Sequence, residues 1–301
     1  MVKHLLSIND LSKKDIDWIF KKSAQLKRAH YAGKDQKLLD RKSLALLFAK
    51  PSTRTRVSFE VGMTQLGGQA VDLAGGAIQL FSGRESVADT AKVLSRYVDF
   101  VAARLYSHQD LLNVAEASSI PVINALTDLL HPCQGLADLF TVSEQFKKLF
   151  GIKLVFIGDG NNNVTHSLMH ACYKLGVKMW VACPKGYEPN KQIIANTKNK
   201  IKIINSPREA VKNADVIYTD TWVSMGEEKE AKKRQKIFNL YQVNSELMKL
   251  ANKKAVFMHC LPAHRGYEVT DNVIDSKQSI VFDQAENRLH VQKAILLWLV
   301  K

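Results

Sequence analysis

The sequence predicts an α/β protein of two doubly wound parallel-sheet domains with the active site in the interdomain cleft. Short aliphatic or β-branched runs alternate with stretches of helical period along the whole chain. One long helical stretch, Pro132 to Leu149, separates two rounds of that alternation, which restarts at Lys153-Leu154-Val155-Phe156-Ile157. A length of 301 residues is enough for two cores, each of about 150 residues.

In order, a helix is expected over 12–30, then strands at 43–50, 69–74, 99–106 and 121–126, with helices near 54–67, 85–97 and 109–118 between them. The second half repeats the theme with strands at 153–158, 177–182, 201–205, 215–220, 255–260 and 279–283. The last stretch, Ala285 to Val300, is apolar on one face and reads as a helix that packs back against the first domain. The expected division is therefore 1–149, 150–284 and a C-terminal helix, 285–301. No low-complexity segment, long linker or internal repeat interrupts it.

Composition narrows the class. Apolar residues make up 46% and charged residues 24%, which is ordinary for a globular protein. No apolar run approaches the ~20 residues that span a bilayer, and Met1-Val2-Lys3-His4-Leu5-Leu6 lacks the apolar core of a signal peptide. A cytoplasmic protein without a membrane partner is expected. Cys133, Cys172, Cys183 and Cys260 are widely spaced and form no CxxC pair, so reduced thiols are expected rather than a disulfide framework or a zinc knuckle. The net charge of +14 could attract nucleic acid or surround a site for small anions. Much of the lysine lies on amphipathic stretches such as Glu227 to Lys236, and no helix-turn-helix, RNP-like or zinc-finger pattern appears. No nucleic-acid partner is expected.

In open parallel sheets, ligands gather outside the carboxyl ends of the strands. Ser52-Thr53-Arg54-Thr55-Arg56 follows the first strand, where a helix opening with hydroxyls and arginines makes an anion site, above all for phosphate. Arg104 lies near the end of 99–106, and His131-Pro132-Cys133-Gln134 comes shortly after 121–126. In the second half, Asp159-Gly160-Asn161-Asn162-Asn163, Asp220 and His259-Cys260-Leu261-Pro262 occupy the matching positions. Arg54, Arg56, Arg104, His131 and Gln134 are cations and neutral donors, whereas Asn163, Asp220, Ser224 and Cys260 suit an amine, so a phosphorylated donor and an amine acceptor fit. His259, Cys260 and His264 match no zinc spacing, and Asp159-Gly160-Asn161 lacks the GxGxxG spacing of a dinucleotide loop. Neither a metal nor a cofactor is expected.

Ser-Thr-Arg-Thr-Arg at 52–56, His-Pro-Cys-Gln at 131–134, Asp-Thr-Trp-Val-Ser-Met-Gly at 220–226 and His-Cys-Leu-Pro at 259–262 resemble, in order and spacing, the aspartate/ornithine carbamoyltransferase family. The last two motifs point to its ornithine branch. The resemblance implies carbamoyl phosphate on the first domain, L-ornithine on the second, and a homotrimer or a multiple of trimers. By motif match, Ser52, Thr53, Arg54 and Thr55 hold phosphate. Arg104, His131 and Gln134 face the carbamoyl group, with Gln79 a further donor-side contact. Asn163, Asp220, Ser224 and Met225 hold ornithine, and Cys260, Leu261 and Arg288 complete the site. The run Asn161-Asn162-Asn163 leaves Asn162 as the alternative to Asn163. Putrescine or N-acetylornithine is the alternative acceptor.

The implied chemistry is coherent. A neutral amine attacking carbamoyl phosphate makes a tetrahedral oxyanion, for which Arg104, the Thr55 hydroxyl and His131 are suitable donors. Arg54 can clamp phosphate bidentately. Ornithine's amine must first lose a proton, which Cys260 and Asp220 could accept or relay.

Overall fold

A computed structural model describes residues 2–73, 85–223 and 228–301. They divide into two compact units, one formed by the residues up to Ala137 together with Glu286–Lys301, the other by Asp138–Ala285.

The first unit opens with α1 (Lys13–Tyr31), whose start is fixed by a capping box in which Ser12 and Asp15 satisfy each other's backbone N–H groups. Strands β1 (Ser43–Phe48), β2 (Gln69–Asp72), β3 (Phe100–Arg104) and β4 (Val122–Leu126) follow, interleaved with α2 (Thr53–Gln65), α3 (Val87–Tyr97) and α4 (His108–Ala117). The strands form a parallel sheet in the order β2-β1-β3-β4. Every residue of β3 and β4 is buried, as expected for a parallel strand covered on both faces. On one face Ala45, Leu47, Val101 and Ala103 pack against Ala91 of α3 and Leu111 and Val114 of α4. Serines cap these helices: the hydroxyls of Ser52, Ser86 and Ser107 each accept from a backbone N–H of the first turn.

Helix α5 (Pro132–Phe146) contains the boundary between the units, which lies between Ala137 and Asp138. The second unit carries β5 (Lys153–Ile157), α6 (Asn163–Leu175), β6 (Lys178–Ala182), α7 (Lys191–Asn196), β7 (Lys202–Ile204), α8 (Pro207–Ala210) and β8 (Val216–Thr219). Then come α9 (Ala231–Phe238), α10 (Ser245–Met248), β9 (Val256–His259) and α11 (Asp271–Ile274); α12 (Val281–Leu299) begins in this unit and belongs to the first from Glu286 onward. The parallel sheet of the second unit has the order β7-β6-β5-β8-β9, so the topology reverses direction at β5 and β8. Asn162 caps α6, and Gly176 ends it in the left-handed conformation at φ 71°.

The expected strand at 279–283 is corrected. Ser279 makes a single parallel bridge to Phe257 and Ile280 donates to the Phe257 carbonyl, after which α12 begins at Val281. The apolar Ile280-Val281-Phe282 run is the entry to a helix, a case that a short run cannot distinguish from a strand.

Candidate active site

The first unit gathers its polar residues where expected, at the carboxyl ends of β1, β3 and β4. Ser52 is the N-cap of α2, its hydroxyl 3.3 Å from the Thr55 N–H, so the first-turn N–H groups of a thirteen-residue helix face the end of β1. Thr53 and Arg54 are exposed at that turn, while Thr55 is buried. Arg56 belongs elsewhere: it pairs with Glu60 at 3.1 Å and Asp72 at 2.9 Å, so its charge is already matched. It drops out of the set of anion-site cations.

Arg104 is the last residue of β3, at a register shift against β4 that re-aims the strand end. The turn after β4 is closed by Thr127, whose N–H reaches the Leu130 carbonyl at 2.9 Å and whose hydroxyl accepts from the Leu130 N–H at 3.2 Å. That turn delivers His131 to the head of α5. Arg288 of α12 donates through Nη1 to the Gln134 amide oxygen and through Nη2 to Thr55 Oγ1 at 3.1 Å. Arg104, His131, Gln134 and Arg288 are each at most 5% exposed, so their charges and dipoles act in a desolvated setting. Burial drives the His131 imidazole well below its ordinary range, and the nearby guanidinium groups of Arg288 and Arg104 push it the same way. His131 is thus a neutral hydrogen-bonding group at neutral pH. Its neighbour Cys133 is inert by comparison: fully buried, with its thiol pushed up to about 12 by desolvation.

The second unit builds its site around Asp220, just past β8. Oδ2 accepts from the Asn162 amide at 3.1 Å; Oδ1 accepts from the Thr221 N–H at 2.8 Å and from the Cys260 thiol at 3.0 Å. Asn162 in turn uses its Oδ1 to cap α6 through the Thr165 N–H at 2.8 Å. Asn163 is the first residue of α6 and half-buried. Of the two candidates, Asn162 is the one with its amide on Asp220.

Leu261 sits at φ 58°, a strained conformation for a side chain of this size, and precedes a cis bond to Pro262. Its N–H is held by His259 Nδ1 at 2.8 Å. With Nδ1 accepting, Nε2 carries the proton and donates to Glu268 Oε1 at 3.2 Å. Glu268 also accepts from the His264 N–H. The turn that presents Cys260 and Leu261 is therefore tied at both ends to one buried carboxylate.

Among the described residues, Asp220, His259 and Cys260 form a cluster of potential metal ligands, with one donor atom from each within 4.8 Å of the others. Both His259 nitrogens are already engaged, and the set lacks the fourth N or S ligand of a structural zinc site. Within the trio Cys260 donates to Asp220, while His259 bonds outside it, to Glu268 and the Leu261 N–H. Gln79, Ser224 and Met225 lie outside the described residues.

Comparison with known proteins assigns both halves of the chain to one family. The carbamoyl-P binding domain of aspartate/ornithine carbamoyltransferase matches residues 3–144, and the Asp/Orn binding domain of the same family matches residues 150–299. The chain belongs to the aspartate/ornithine carbamoyltransferase family. Similar members include the ornithine carbamoyltransferase of Methanobrevibacter smithii, 52% identical with all of both chains covered. The Pyrococcus furiosus protein curated as an anabolic ornithine carbamoyltransferase is 51% identical over 98% of this chain and 95% of its own. Among solved structures, ornithine carbamoyltransferase from Pyrococcus furiosus superposes with a TM-score of 0.94 at 51% identity, covering 98% of this chain and 96% of that one. The enzyme from Thermus thermophilus gives 0.91 at 42% identity with both chains fully covered.

Two groups in this carbamoyltransferase were not singled out from its sequence. Glu268 is nine residues beyond His259 in an unremarkable stretch. Arg234 stands in a lysine-rich helix that reads as a solvated face, yet it is buried and bonded to Asp159 Oδ2 at 2.6 Å. The only sequence signal for it is a single arginine among lysines at 232–236.

Proposed function

We infer that the chain transfers the carbamoyl group of carbamoyl phosphate to the side-chain amine of L-ornithine, giving L-citrulline and phosphate. The observation that carries the choice of acceptor is the Asp220 carboxylate, held in place by Asn162 and Cys260. A cationic amino acid is attracted to such a group, whereas aspartate, with two carboxylates, is repelled.

On the donor side, the α2 N-terminus with Ser52, Thr53, Arg54 and Thr55 would hold phosphate, joined by Gln79. Gln134 would face the carbamoyl group, with Arg288 fixing both Gln134 and Thr55. Thr55 Oγ1 accepts from Arg288 and so keeps its own proton to donate. When the neutral amine attacks the carbonyl carbon, the oxygen becomes negative, and Arg104, neutral His131 and the Thr55 hydroxyl would stabilise it; one such donor is typically worth ~3 kcal/mol. The C–O bond to phosphate then breaks, and the departing phosphate can take the amine proton.

On the acceptor side, Asn163, Asp220, Ser224 and Met225 would hold ornithine, with Asn162 as Asp220's support, and Cys260 and Leu261 would border the reacting centre. The same reading makes the protein a cytoplasmic homotrimer, or a multiple of trimers, with no cofactor. Light scattering on the purified protein checks the assembly.

The test of the reaction is to incubate the protein with carbamoyl phosphate and, separately, ornithine, putrescine, N-acetylornithine and aspartate, and to measure ureido product. Product from ornithine is expected. Product from putrescine alone would overturn the reading.

A further inference from the structure

Arg234, which the transfer chemistry does not use, connects two turns of the second unit that do carry acceptor-side groups. Its Nη1 donates to Asp159 Oδ2 at 2.6 Å and to the Trp222 carbonyl at 3.1 Å. Asp159 lies in the turn between β5 and α6, where its Oδ1 accepts from the Asn161 N–H at 2.9 Å and its carbonyl accepts from the Thr165 hydroxyl at 3.1 Å. Trp222 lies two residues beyond Asp220. The two turns meet again where the Asn162 amide donates to Asp220 Oδ2. A closed ring results: Asp159 to Arg234, Arg234 to Trp222, along the chain to Asp220, across to Asn162, and along the chain back to Asp159.

The surroundings favour a guanidinium. Its Cζ lies 5.2 Å from the centre of the Tyr187 ring, Tyr187 packs edge-on against Phe238, and Trp222 stacks on Phe238. An arginine inside this aromatic wall, its side chain 8% exposed against 4% for Asp159, forms an ion pair with little water to weaken it. A buried pair of this kind is weak evidence for stability and is better explained by the geometry it enforces. Burial pushes the Asp159 carboxyl up, and the hydrogen bond and charge of Arg234 only partly offset that push.

We propose that Arg234 is a positioning residue for acceptor binding, setting the distance between the turn that carries Asn162 and Asn163 and the strand end that carries Asp220 by gripping Asp159 and the Trp222 carbonyl at once. This rests on the ornithine reading for the identity of the acceptor but not for the geometry. Lysine keeps the charge and one multi-donor nitrogen, but it loses the planar guanidinium over the Tyr187 ring and the Nε–H that reaches Glu230 Oε2 at 3.4 Å, the contacts that hold Nη1 between its two acceptors.

The experiment compares wild type with Arg234→Gln, Arg234→Lys and Asp159→Asn by initial rates and by alkylation of Cys260, the one half-exposed cysteine beside three buried ones. In Arg234→Gln, KM for ornithine should rise at least tenfold while KM for carbamoyl phosphate stays within about twofold. Arg234→Lys should fall between that variant and wild type. Cys260 should be alkylated several-fold faster in Arg234→Gln, because the Asp220 that accepts from its thiol is no longer held. Should Arg234→Gln fail to fold, Arg234→Lys and Asp159→Asn carry the same comparison. Equal changes in both KM values, or unchanged alkylation in every folded variant, would overturn the proposal. A wild-type protein that makes no citrulline would instead overturn the ornithine reading, and the alkylation comparison would still decide the role of Arg234.

Discussion

Asp220→Asn is the most informative single change, because the hydrogen bonds around the carboxylate leave no place for an amide. An asparagine must turn one oxygen into an N–H donor. Placed at Oδ2, that donor meets the Asn162 amide nitrogen, which is itself a donor at 3.1 Å. Asn162 cannot flip to accommodate it without withdrawing the Oδ1 that caps α6 through Thr165. Placed at Oδ1, the new donor meets the Thr221 N–H and the Cys260 thiol, both donors as well. Either way at least one buried bond to a charged acceptor is lost, along with the charge that would attract a cationic amine. Hydrogen bonds to charged groups are worth ~1.5–3 kcal/mol, so a loss of about 3 kcal/mol is expected, and at ~1.4 kcal/mol per tenfold that is roughly a hundredfold in kcat/KM for ornithine. Steady-state citrulline formation at saturating carbamoyl phosphate measures it, with a melting curve to show that the fold survives. KM for carbamoyl phosphate should move by less than about threefold. A variant whose kcat/KM for ornithine stays within threefold of wild type would refute the assignment of Asp220.

Three further outcomes are expected. Arg288→Lys cannot satisfy Gln134 and Thr55 together, so KM for carbamoyl phosphate should rise roughly tenfold, about 1.4 kcal/mol, with ornithine KM unchanged in the same initial-rate assay. The rate of citrulline formation should climb from neutral to alkaline pH, since an amine with a reference pKa near ~10.4 must lose its proton to attack; a flat profile between pH of about 6 and 9 would count against that step. Acid should destabilise the fold: burial lowers His170 and His290 from 6.5 to about 4 in the folded chain, so the unfolded chain takes up protons first as pH falls below about 6.5. By pH 5 that amounts to roughly 4 kcal/mol from the pair, visible as a lower urea midpoint than at pH 7, and an unchanged midpoint would contradict it.

What was legible in the sequence follows from which contacts are local. Parallel strands deliver their ends to one edge, so Ser52, Arg104, His131, Asp220 and Cys260 could be placed from the alternation of elements alone. Contacts between distant segments could not. Arg56 sits beside Arg54 and looks equivalent, but its partner Asp72 is on β2, and only the pairing of β1 with β2 brings them together. The choice between Asn162 and Asn163 turns on which residue caps α6, and identical residues side by side carry no signal for that. Arg234 and Asp159 are 75 positions apart. The false strand at 279–283 failed for a different reason: one bridge to Phe257 and a helix start share the same apolar residues.

The candidate residues of the two units differ in sign of charge, and this bears on what the net charge of +14 does. The donor-side residues of the first unit are hydroxyls, amides, a neutral imidazole and three arginines, with no carboxylate among them. The acceptor side of the second unit is centred on a carboxylate whose contacts, an amide, a backbone N–H and a thiol, are neutral. A basic surface attracts phosphate compounds in general and repels ornithine, so it cannot be the source of acceptor selectivity. That selectivity has to come from Asp220 at short range, where a desolvated charge outweighs a distant and screened surface. Added salt should therefore weaken any long-range steering of carbamoyl phosphate while leaving the preference for ornithine over aspartate in place. Loss of that preference in salt would place the selectivity on the surface instead of at Asp220.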